Sequence, residues 1–256
     1  MLLTIDIGNT NTVFGVFDGD VLERSWRIKT DARSTADELA LTFRGLLTDH
    51  KITGTAACST VPAALRELRL MLGTYYSDIP TVLVEPGIRT GVSLQYENPK
   101  EVGADRIVNT LAAHHLVDGP VIVVDFGTTT NFDVVNAHGD FLGGALAPGI
   151  EISLDALAAR AAQLRKVELI APTRGPIGKS TVEALQSGVV YGFAGQVDGL
   201  VRRLSAALHP EDPGAVAVIA TGGLATLLIE HCETVTRFEP DLTLLGLRLI
   251  YDRNTP

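Results

Sequence analysis

Residues 2–19 read LLTIDIGNTNTVFGVFDG, two apolar stretches on either side of a polar turn. The apolar stretches contain β-branched and aromatic residues, so they predict two β-strands. Asp18-Gly19 is typical of a tight hairpin turn, and we expect a third strand over residues 21–28. The chain is therefore predicted to open with three strands joined by short turns.

The polar turn, residues 6–12, has the side chains of a phosphate-binding loop. A carboxylate at the end of a strand, here Asp6, can hold Mg²⁺ directly or through water. Gly8 lets the backbone approach a ligand, and the asparagine and threonine side chains that follow offer neutral donors to phosphate oxygens. Taken alone, these residues are equally compatible with a hairpin that is simply well hydrogen-bonded.

The same pattern returns in residues 120–146, PVIVVDFGTTTNFDVVNAHGDFLGGAL. Asp125 takes the place of Asp6, and the two aspartates are 119 residues apart (125 − 6), close to half of the 256-residue chain. Two similar halves predict two similar lobes, each aiming a polar hairpin at a shared cleft. Such hairpins suit the two ends of a triphosphate chain; two coincidentally similar hairpins are the simpler alternative.

The composition favours a globular protein and argues against several other classes. A hydrophobic content of 46% and a mean hydropathy of +0.23 indicate a globular chain with a sizeable core. No apolar run approaches the ~18 residues of a membrane span, and the N-terminus has no basic region typical of a signal peptide. Two cysteines, Cys58 and Cys232, predict no disulfide framework and fit a reducing cytosol. A net charge of −9 argues against nucleic acid or an anionic membrane as the main partner.

Between the hairpins the pattern predicts alternating helices and strands, and the first half reads β-β-β-α-β-α-β. A capping box at residues 35–38 predicts the start of a helix that runs to about His50. The other predicted elements are strands at 55–58, 81–84 and 215–220, and helices from Ser59-Thr60 to Leu72, from near Asp105, and over 152–164, 181–208 and 242–251.

Asp105 and Arg106 follow an irregular stretch, residues 90–102. The helix macrodipole favours an aspartate in the first turn of a helix, and this is the default explanation of Asp105. The competing hypothesis is a functional pair, because Arg106 stands beside it at the exit of a loop of ligand size.

Two later stretches bear on nucleotide binding. Residues 173–180, TRGPIGKS, end like a Walker P-loop, but Thr173 replaces the first glycine and Pro176 lacks a backbone N–H, so we expect no P-loop. Gly222 and Gly223, between a predicted strand and a helix, leave room for a flat ligand such as a purine.

The helix predicted over residues 181–208 carries four glycines at helical spacing on one face. A glycine costs roughly 1 kcal/mol in a helix interior, so four on one face predict close approach by another backbone, across a lobe or a subunit interface. A broken helix is the alternative. The four are Gly188, Gly192, Gly195 and Gly199.

Together these features resemble the acetate kinase, sugar kinase, Hsp70 and actin superfamily, and their details resemble the type III pantothenate kinases. The segment at 103–106 is specific to that kinase family, whereas the hairpins are shared across the superfamily. The resemblance implies an α/β fold of two duplicated ribonuclease H-like lobes (β-β-β-α-β-α type) with a cleft between them, as actin-like ATPase lobes over residues 1–117 and 118–256. The matching stretches, in family order, are 6–12 (DIGNTNT), 98–106 (NPKEVGADR), 125–128 (DFGT), 143–149 (GGALAPG), 178–181 (GKST) and 221–223 (TGG).

The resemblance implies ATP-dependent phosphorylation of pantothenate to 4'-phosphopantothenate, the first step of coenzyme A biosynthesis, by a cytoplasmic homodimer. It implies that Asp105 is the general base and that Arg106 holds the pantothenate carboxylate. Mg²⁺, near Asp6 through water, and a monovalent cation, K⁺ or NH4⁺, at Asp125 are the implied metals. The other implied contacts are Tyr96, Gly103, Ala104 and the partner-facing Thr181 for substrate, and Asp6, Ile7, Gly8, Asn9, Thr10, Asn11, Thr12, Val13, Thr128, Gly222 and Gly223 for nucleotide.

One departure from the family pattern is Thr129-Thr130-Asn131, where we expect Ala or Ser, then Thr, then Thr. It predicts altered nucleotide affinity rather than lost chemistry. Two other functions stay open: another small-molecule kinase of the superfamily, and a regulatory homologue that acts as an accessory factor for transcription. The Asp105-Arg106 pair and both hairpins favour the enzyme, and the net charge disfavours direct DNA binding.

Overall fold

The computed structural model describes residues 1–160 and 167–255, which form two five-stranded mixed sheets with helices. The strands are β1 Leu2–Ile7, β2 Asn11–Asp18, β3 Val21–Lys29, β4 Gly54–Ser59, β5 Thr81–Leu83, β6 Val121–Phe126, β7 Thr129–Val135, β8 Phe141–Pro148, β9 Ala217–Thr221 and β10 Arg237–Phe238. The helices are α1 Ala36–Leu46, α2 Pro62–Tyr75, α3 Ala104–Leu116, α4 Ile150–Arg160, α5 Thr181–Leu208, α6 Ala225–Leu228 and α7 Leu242–Asn254.

The two sheets have the same topology, which confirms the predicted duplication. The first sheet has the order β3-β2-β1-β4-β5 and the second β8-β7-β6-β9-β10. In each, the leading strand pairs antiparallel with the next strand of its hairpin and parallel with a later strand. The α/β class and the two ribonuclease H-like lobes follow from this arrangement, and β1 and β6 occupy equivalent central positions.

Contacts divide the chain into two compact units. The first unit contains residues 1–93, 97–112 and 241–255, and the second unit contains the described residues of 94–96 and 113–240. The predicted domain boundary after residue 117 stays a prediction. That prediction assigned the C-terminal helix to the second lobe, whereas contacts group it with the first unit.

Helix α7 joins the first unit through close contacts with α3. A Cβ atom added at Gly246 would lie 2.3 Å from the carbonyl oxygen of Val108, so only glycine permits this approach. Next to it, the hydroxyl of Thr243 donates to Oδ1 of Asn109 over 2.8 Å. Leu247 and Ile250 then complete an apolar cluster with strand β4. The C-terminal helix is thus part of the first unit's core.

The capping box forms as predicted, but α1 ends earlier than predicted. The Thr35 hydroxyl accepts from the Glu38 backbone N–H while the Glu38 carboxylate accepts from the Thr35 N–H. The helix stops at Leu46 instead of near His50, because residues 48–50 are poor helix formers and the chain turns there toward β4.

Elements of the second half differ from the predictions mainly at their ends. Strand β9 begins at Ala217 rather than residue 215, because a 3₁₀ turn over Pro213–Ala215 precedes it. Helix α4 begins at Ile150, two residues early; its predicted continuation over 161–164 lies outside the described residues. Helix α5 has the predicted bounds. In the described part of the chain, no helix has the length and hydropathy to cross a membrane.

Candidate active site

Asp6 and Cys58 lie side by side at the carboxyl ends of two parallel strands. Asp6 is the penultimate residue of β1, and the strand register places it opposite Cys58 in β4. The Cys58 thiol donates to Oδ1 of Asp6, with Sγ and Oδ1 3.3 Å apart. In open α/β sheets ligands bind at the carboxyl ends of strands, so this edge is the place to expect a site.

The turn after β1 is held by its own hydrogen bonds, as the simpler explanation of the motif expected. The Gly8 N–H donates to the Asn11 carbonyl over 3.0 Å, and the Thr30 N–H donates to the Thr10 carbonyl over 3.0 Å. The hydroxyls of Thr12 and Thr30 are 2.9 Å apart. These bonds keep the loop in one shape, which is compatible with binding because a preformed loop loses little entropy when a ligand arrives.

Asp105 enters the same region of the first unit from the start of α3. It is the second residue of that helix, and its Oδ1 accepts from the backbone N–H of Arg106 over 2.9 Å. Gly103 makes room for this carboxylate, because a Cβ atom there would lie 2.5 Å from Oδ1 of Asp105. Thr60, which follows β4, contributes its methyl group to the same space, 3.5 Å from that Cβ position.

The charge of Asp105 acts on the Asp6 carboxylate. Burial, followed by the negative charge of Asp105, raises the pKa of Asp6 to about 7, against the opposing effects of the Cys58 hydrogen bond and of Arg27. Burial also raises the pKa of Asp105, and the Arg106 backbone N–H and charge oppose that rise. Burial and both carboxylates raise the pKa of the Cys58 thiol well above its ordinary value, so the thiol stays protonated and is the hydrogen-bond donor.

In the second unit, Asp125 holds the position equivalent to Asp6. The register of β6 and β9 pairs it with Thr221, so Gly222 begins the next loop directly beside it. Gly222 has a φ of 94°, and a Cβ atom there would lie 2.6 Å from both Oδ1 of Asp125 and the Phe126 carbonyl oxygen. A carboxylate oxygen and a main-chain carbonyl oxygen therefore border the space over Gly222.

The second hairpin turn packs against Gly149, the residue that precedes α4. The Gly149 N–H donates to the Thr128 carbonyl over 3.1 Å, and a Cβ atom on Gly149 would lie 2.3 Å from that oxygen. The Gly127 N–H donates to the Thr129 carbonyl over 3.0 Å. The turn that carries Thr128 is therefore fixed by glycine contacts on one side, and Thr128 itself is exposed.

The departure from the family pattern, Thr129-Thr130-Asn131, has a local consequence. The Thr129 hydroxyl donates to Oδ1 of Asn131 over 2.6 Å. The asparagine oxygen is thus engaged within the hairpin, where a threonine would offer a hydroxyl. Thr130 is buried.

Tyr96 belongs to the second unit because residues 94–96 run along the edge strand β8. Leu94 forms a bridge with Phe141, and the Gln95 N–H donates to the Phe141 carbonyl over 2.8 Å. The Tyr96 ring lies 5.9 Å from the Phe141 ring, between centroids, and covers Gly143, at 3.2 Å from a Cβ position there. Tyr96 as a whole remains 38% exposed, so part of its surface is accessible.

The Gly178-Lys179-Ser180 run leads into the N-cap of α5 and does not form a phosphate cradle. Ser180 caps the helix by accepting from the Glu183 N–H over 3.2 Å, and the Lys179 N–H donates to the Glu183 carboxylate over 2.8 Å. A P-loop would instead direct such N–H groups at phosphates. Thr181, the first residue of the helix, is exposed.

Comparison with known proteins gives the family of this chain. Residues 2–203 match the family model for type III pantothenate kinase. The chain belongs to the type III pantothenate kinase family. A type III pantothenate kinase of Frankia alni is 67% identical over 255 residues, covering 99% of this chain and 100% of that protein.

Two solved sugar kinases share the fold of this type III pantothenate kinase. The polyphosphate/ATP-glucomannokinase of Arthrobacter sp. strain KM has a TM-score of 0.54 at 15% identity, and 99% of each chain is covered. The ROK family glucokinase of Streptomyces griseus has a TM-score of 0.52 at 13% identity, covering 98% of this chain and 99% of that one. At such identities the likeness concerns the fold alone.

The structure brings some of the predicted residues of this kinase together within each unit. In the first unit Gly103 lies against Asp105, whose charge acts on Asp6, and in the second Gly222 and the turn that carries Thr128 lie beside Asp125. Ile7, predicted from the family motif, has its side chain in the core, so only its main chain could contact a nucleotide.

Three residues at the carboxyl end of β4 are parts of the site that the sequence analysis missed. Cys58 donates to Asp6, and Ser59 Oγ donates to the Ile7 carbonyl over 2.9 Å. Thr60 adds its N–H to the same carbonyl over 3.3 Å. The run Cys58-Ser59-Thr60 at the end of a buried strand was the available signal, because the strand that pairs parallel with β1 must end at the same edge.

The described residues contain no group of three or more His, Cys, Asp or Glu side chains that could hold a metal by themselves. The chemistry of the two aspartate positions still suits hard cations. Asp6 is a partly buried carboxylate whose charge is opposed by Asp105, a repulsion that a cation relieves. Mg²⁺ is commonly held by one or two carboxylates together with substrate phosphates, so a protein cage is not required.

Proposed function

We propose that this kinase transfers the γ-phosphoryl group of ATP to the primary hydroxyl of pantothenate, forming 4'-phosphopantothenate in the first step of coenzyme A synthesis. The observation that carries the proposal is the pair of carboxylates in the first unit. Asp6 and Asp105 are close enough for the charge of one to raise the pKa of the other, and they lie where the family motif of residues 103–106 meets the first hairpin.

Asp105 is the proposed general base. Its carboxylate is partly buried, which raises its pKa and makes it a better proton acceptor than an exposed aspartate. A base in this position accepts the hydroxyl proton as the phosphoryl group arrives, an effect worth typically ~10²–10⁴-fold. Arg106, the next residue, is the proposed partner of the pantothenate carboxylate, and Tyr96, Gly103 and Ala104 the proposed lining of the pantothenate site.

The two hairpins are the proposed phosphate contacts. The first supplies residues 6–13 and the second supplies Thr128, while Gly222 and Gly223 leave space for the adenine. Phosphoryl transfer depends mainly on positioning and charge neutralisation. Turns held by hydrogen bonds and by glycine contacts, as at Gly8 and Gly149, support that task.

Asp6 is the proposed residue for Mg²⁺, through water, and Asp125 for a monovalent cation such as K⁺ or NH4⁺. The carboxylate of Asp125 and the carbonyl of Phe126 border one space, and such oxygens are suitable ligands for a weakly hydrated monovalent ion. When bound, Mg²⁺ would neutralise phosphate charge. The protein's own part is to orient Asp6 and to keep Asp105 available as the base.

A homodimer in a reducing cytoplasm is the proposed state, with pantothenate and ATP as ligands and neither nucleic acid nor membrane as a partner. The exposed glycine face of α5 supports a partner chain, and Thr181 at its start is the proposed contact to the partner's substrate. Both cysteines, Cys58 and Cys232, are free, which supports a reducing compartment.

A coupled assay of ADP release tests the function. We expect ADP release with ATP, Mg²⁺, K⁺ and pantothenate, and none when the primary hydroxyl of pantothenate is blocked as a methyl ether. Release with sugars but not with pantothenate would indicate another small-molecule kinase. No release with any acceptor, from protein that binds ATP, would favour a regulatory homologue.

A further inference from the structure

We infer that Cys58 is a positioning residue that orients the Asp6 carboxylate for Mg²⁺ and phosphate. The inference rests on the proposed function of Asp6, and nothing in the family motifs includes Cys58. Its basis is one contact: the thiol donates to Oδ1 of Asp6 with Sγ and Oδ1 3.3 Å apart. The neighbouring β1 and β4 strands fix this pair by their register, so the contact does not depend on a mobile loop.

The surroundings of Cys58 suit a thiol. The side chain is completely buried and belongs to an apolar cluster with Ala56, Val108 and Leu247, while its sulfur faces the carboxylate. A thiol packs like a small apolar group and is also a weak donor. The Cys58 side chain therefore lies at the boundary between the apolar cluster and the polar residues at the edge of the sheet.

A neutral donor also has a specific advantage beside Asp6. A lysine or arginine would orient the carboxylate but would cancel the charge that a cation needs. The thiol restricts rotation of the carboxylate and leaves its negative charge in place. This matters because Asp105 lies near enough to repel Asp6. Without the thiol, we expect Asp6 to rotate away from the position at which it meets the ion.

Kinetics of three variants test the inference. Cys58→Ala removes the donor, Cys58→Ser keeps a donor, and Cys232→Ala is the matched control, the other cysteine of the chain, which lies in the second unit. Residues that hold a metal ligand in place typically cost ~10–100-fold in metal affinity or activity when removed. For Cys58→Ala we expect about a tenfold loss in kcat and a higher Mg²⁺ concentration at half-maximal rate. We expect Cys58→Ser to recover most of the lost kcat and most of the Mg²⁺ dependence of the parent protein. We expect Cys232→Ala to match the parent protein in both.

Melting curves separate this effect from simple destabilisation. If folded Cys58→Ala keeps the parent kcat and Mg²⁺ dependence, or if Cys58→Ser fails to recover a loss seen in Cys58→Ala, the inference is wrong. A purely structural role would lower the melting temperature without changing the Mg²⁺ dependence of the folded enzyme.

An infrared measurement tests the hydrogen bond without any activity. In Cys232→Ala protein, Cys58 is the one remaining thiol of the chain, so the S–H stretching band belongs to it. We expect the band to move toward the position of a free thiol when Asp6→Ala is added. A band that does not move overturns the inference even if Cys58→Ala is inactive or unfolded. Absence of pantothenate phosphorylation in the parent protein would instead contradict the proposed function and leave this spectroscopic result to decide the contact.

Discussion

The carboxylate of Asp105 occupies the space that a side chain at residue 103 would need. A Cβ atom on Gly103 would lie 2.5 Å from Oδ1 of Asp105, well inside van der Waals contact. Gly103 does not have a left-handed backbone, so the need for glycine here is one of space alone. The first residue of the 103–106 motif thereby sets the position of the third.

We therefore expect Gly103→Ala to lower activity far more than stability. The short Asp105 side chain can rotate away from the added methyl group, which relieves the clash but misplaces the base. A misplacement of about 1 Å can cost ~10²-fold in rate, and we expect a kcat loss of that order. Gly45→Ala is the matched control, because a Cβ atom on Gly45 in α1 would meet no described atom within 4 Å apart from its chain neighbours and the adjacent backbone of its own helix. Equal kcat in the two variants would contradict the assigned role of Gly103.

Asp105→Asn tests the general base. Asparagine keeps the shape of the side chain but cannot accept the proton, so kcat should fall by ~10²–10⁴-fold while ATP and pantothenate still bind. Asp37→Asn is the control, since Asp37 is likewise the second residue of a helix, α1. If Asp105 only stabilises the helix start, Asp105→Asn should leave kcat unchanged, as Asp37→Asn does.

Asp6→Asn should change the pH dependence of stability in Mg²⁺-free buffer. The pKa of Asp6 rises from 3.8 to about 7 on folding, so its contribution to stability is full below pH 3.8 and is lost as the pH rises through about 7. Asparagine does not ionise, so we expect the variant to be more stable than the parent by about 1–3 kcal/mol near pH 8. Denaturant unfolding at several pH values measures the difference, which should vanish toward pH 4.

Asp49→Asn, which changes an exposed aspartate of the same unit, serves as the comparison for that titration. The comparison gives the effect of removing one exposed negative charge from this unit. A parent protein that is at least as stable as Asp6→Asn near pH 8 would show that the ionised Asp6 carboxylate does not destabilise the folded state.

Turnover should depend on a monovalent cation held near Asp125. At constant ionic strength, we expect higher rates in K⁺ or NH4⁺ than in tetramethylammonium, because the methyl groups of that ion keep carboxylate and carbonyl oxygens away from its charge. Asp125→Asn should weaken the response to K⁺. Equal rates in all three salts would remove the cation assignment and leave Asp125 as part of the hairpin.

The kinase should be a dimer through the glycine face of α5. Gly188, Gly192 and Gly195 are exposed, and a Cβ atom on any of them would meet no described atom within 4 Å apart from its chain neighbours and the adjacent backbone of its own helix. Light scattering should therefore give twice the chain mass of 27.2 kDa. Gly192→Glu should lower this mass, whereas Gly73→Glu, at an exposed helical glycine of α2, should not. A parent protein of single-chain mass would contradict the prediction.

Much of the fold was predictable because it depends on local patterns. The repeated strand-turn-strand stretches define two equivalent sheets, and the capping box at Thr35 and Glu38 sets the start of α1. The same is true of α5, whose bounds match the prediction. The end of α1 at Leu46 and the start of β9 at Ala217 were missed, since element ends depend on where the chain must turn to reach its next neighbour.

The sequence by itself determined the repeat, the polar turns and the identity of Asp6, Asp105 and Asp125 as candidate residues, because each belongs to a continuous motif. Only the tertiary structure decided that Cys58 donates to Asp6 across 52 positions of sequence and that α7 returns to the first unit. The reason is that these contacts depend on strand pairing and helix packing between distant segments. Register and burial then bring one buried thiol to one carboxylate, a pairing that no local pattern encodes.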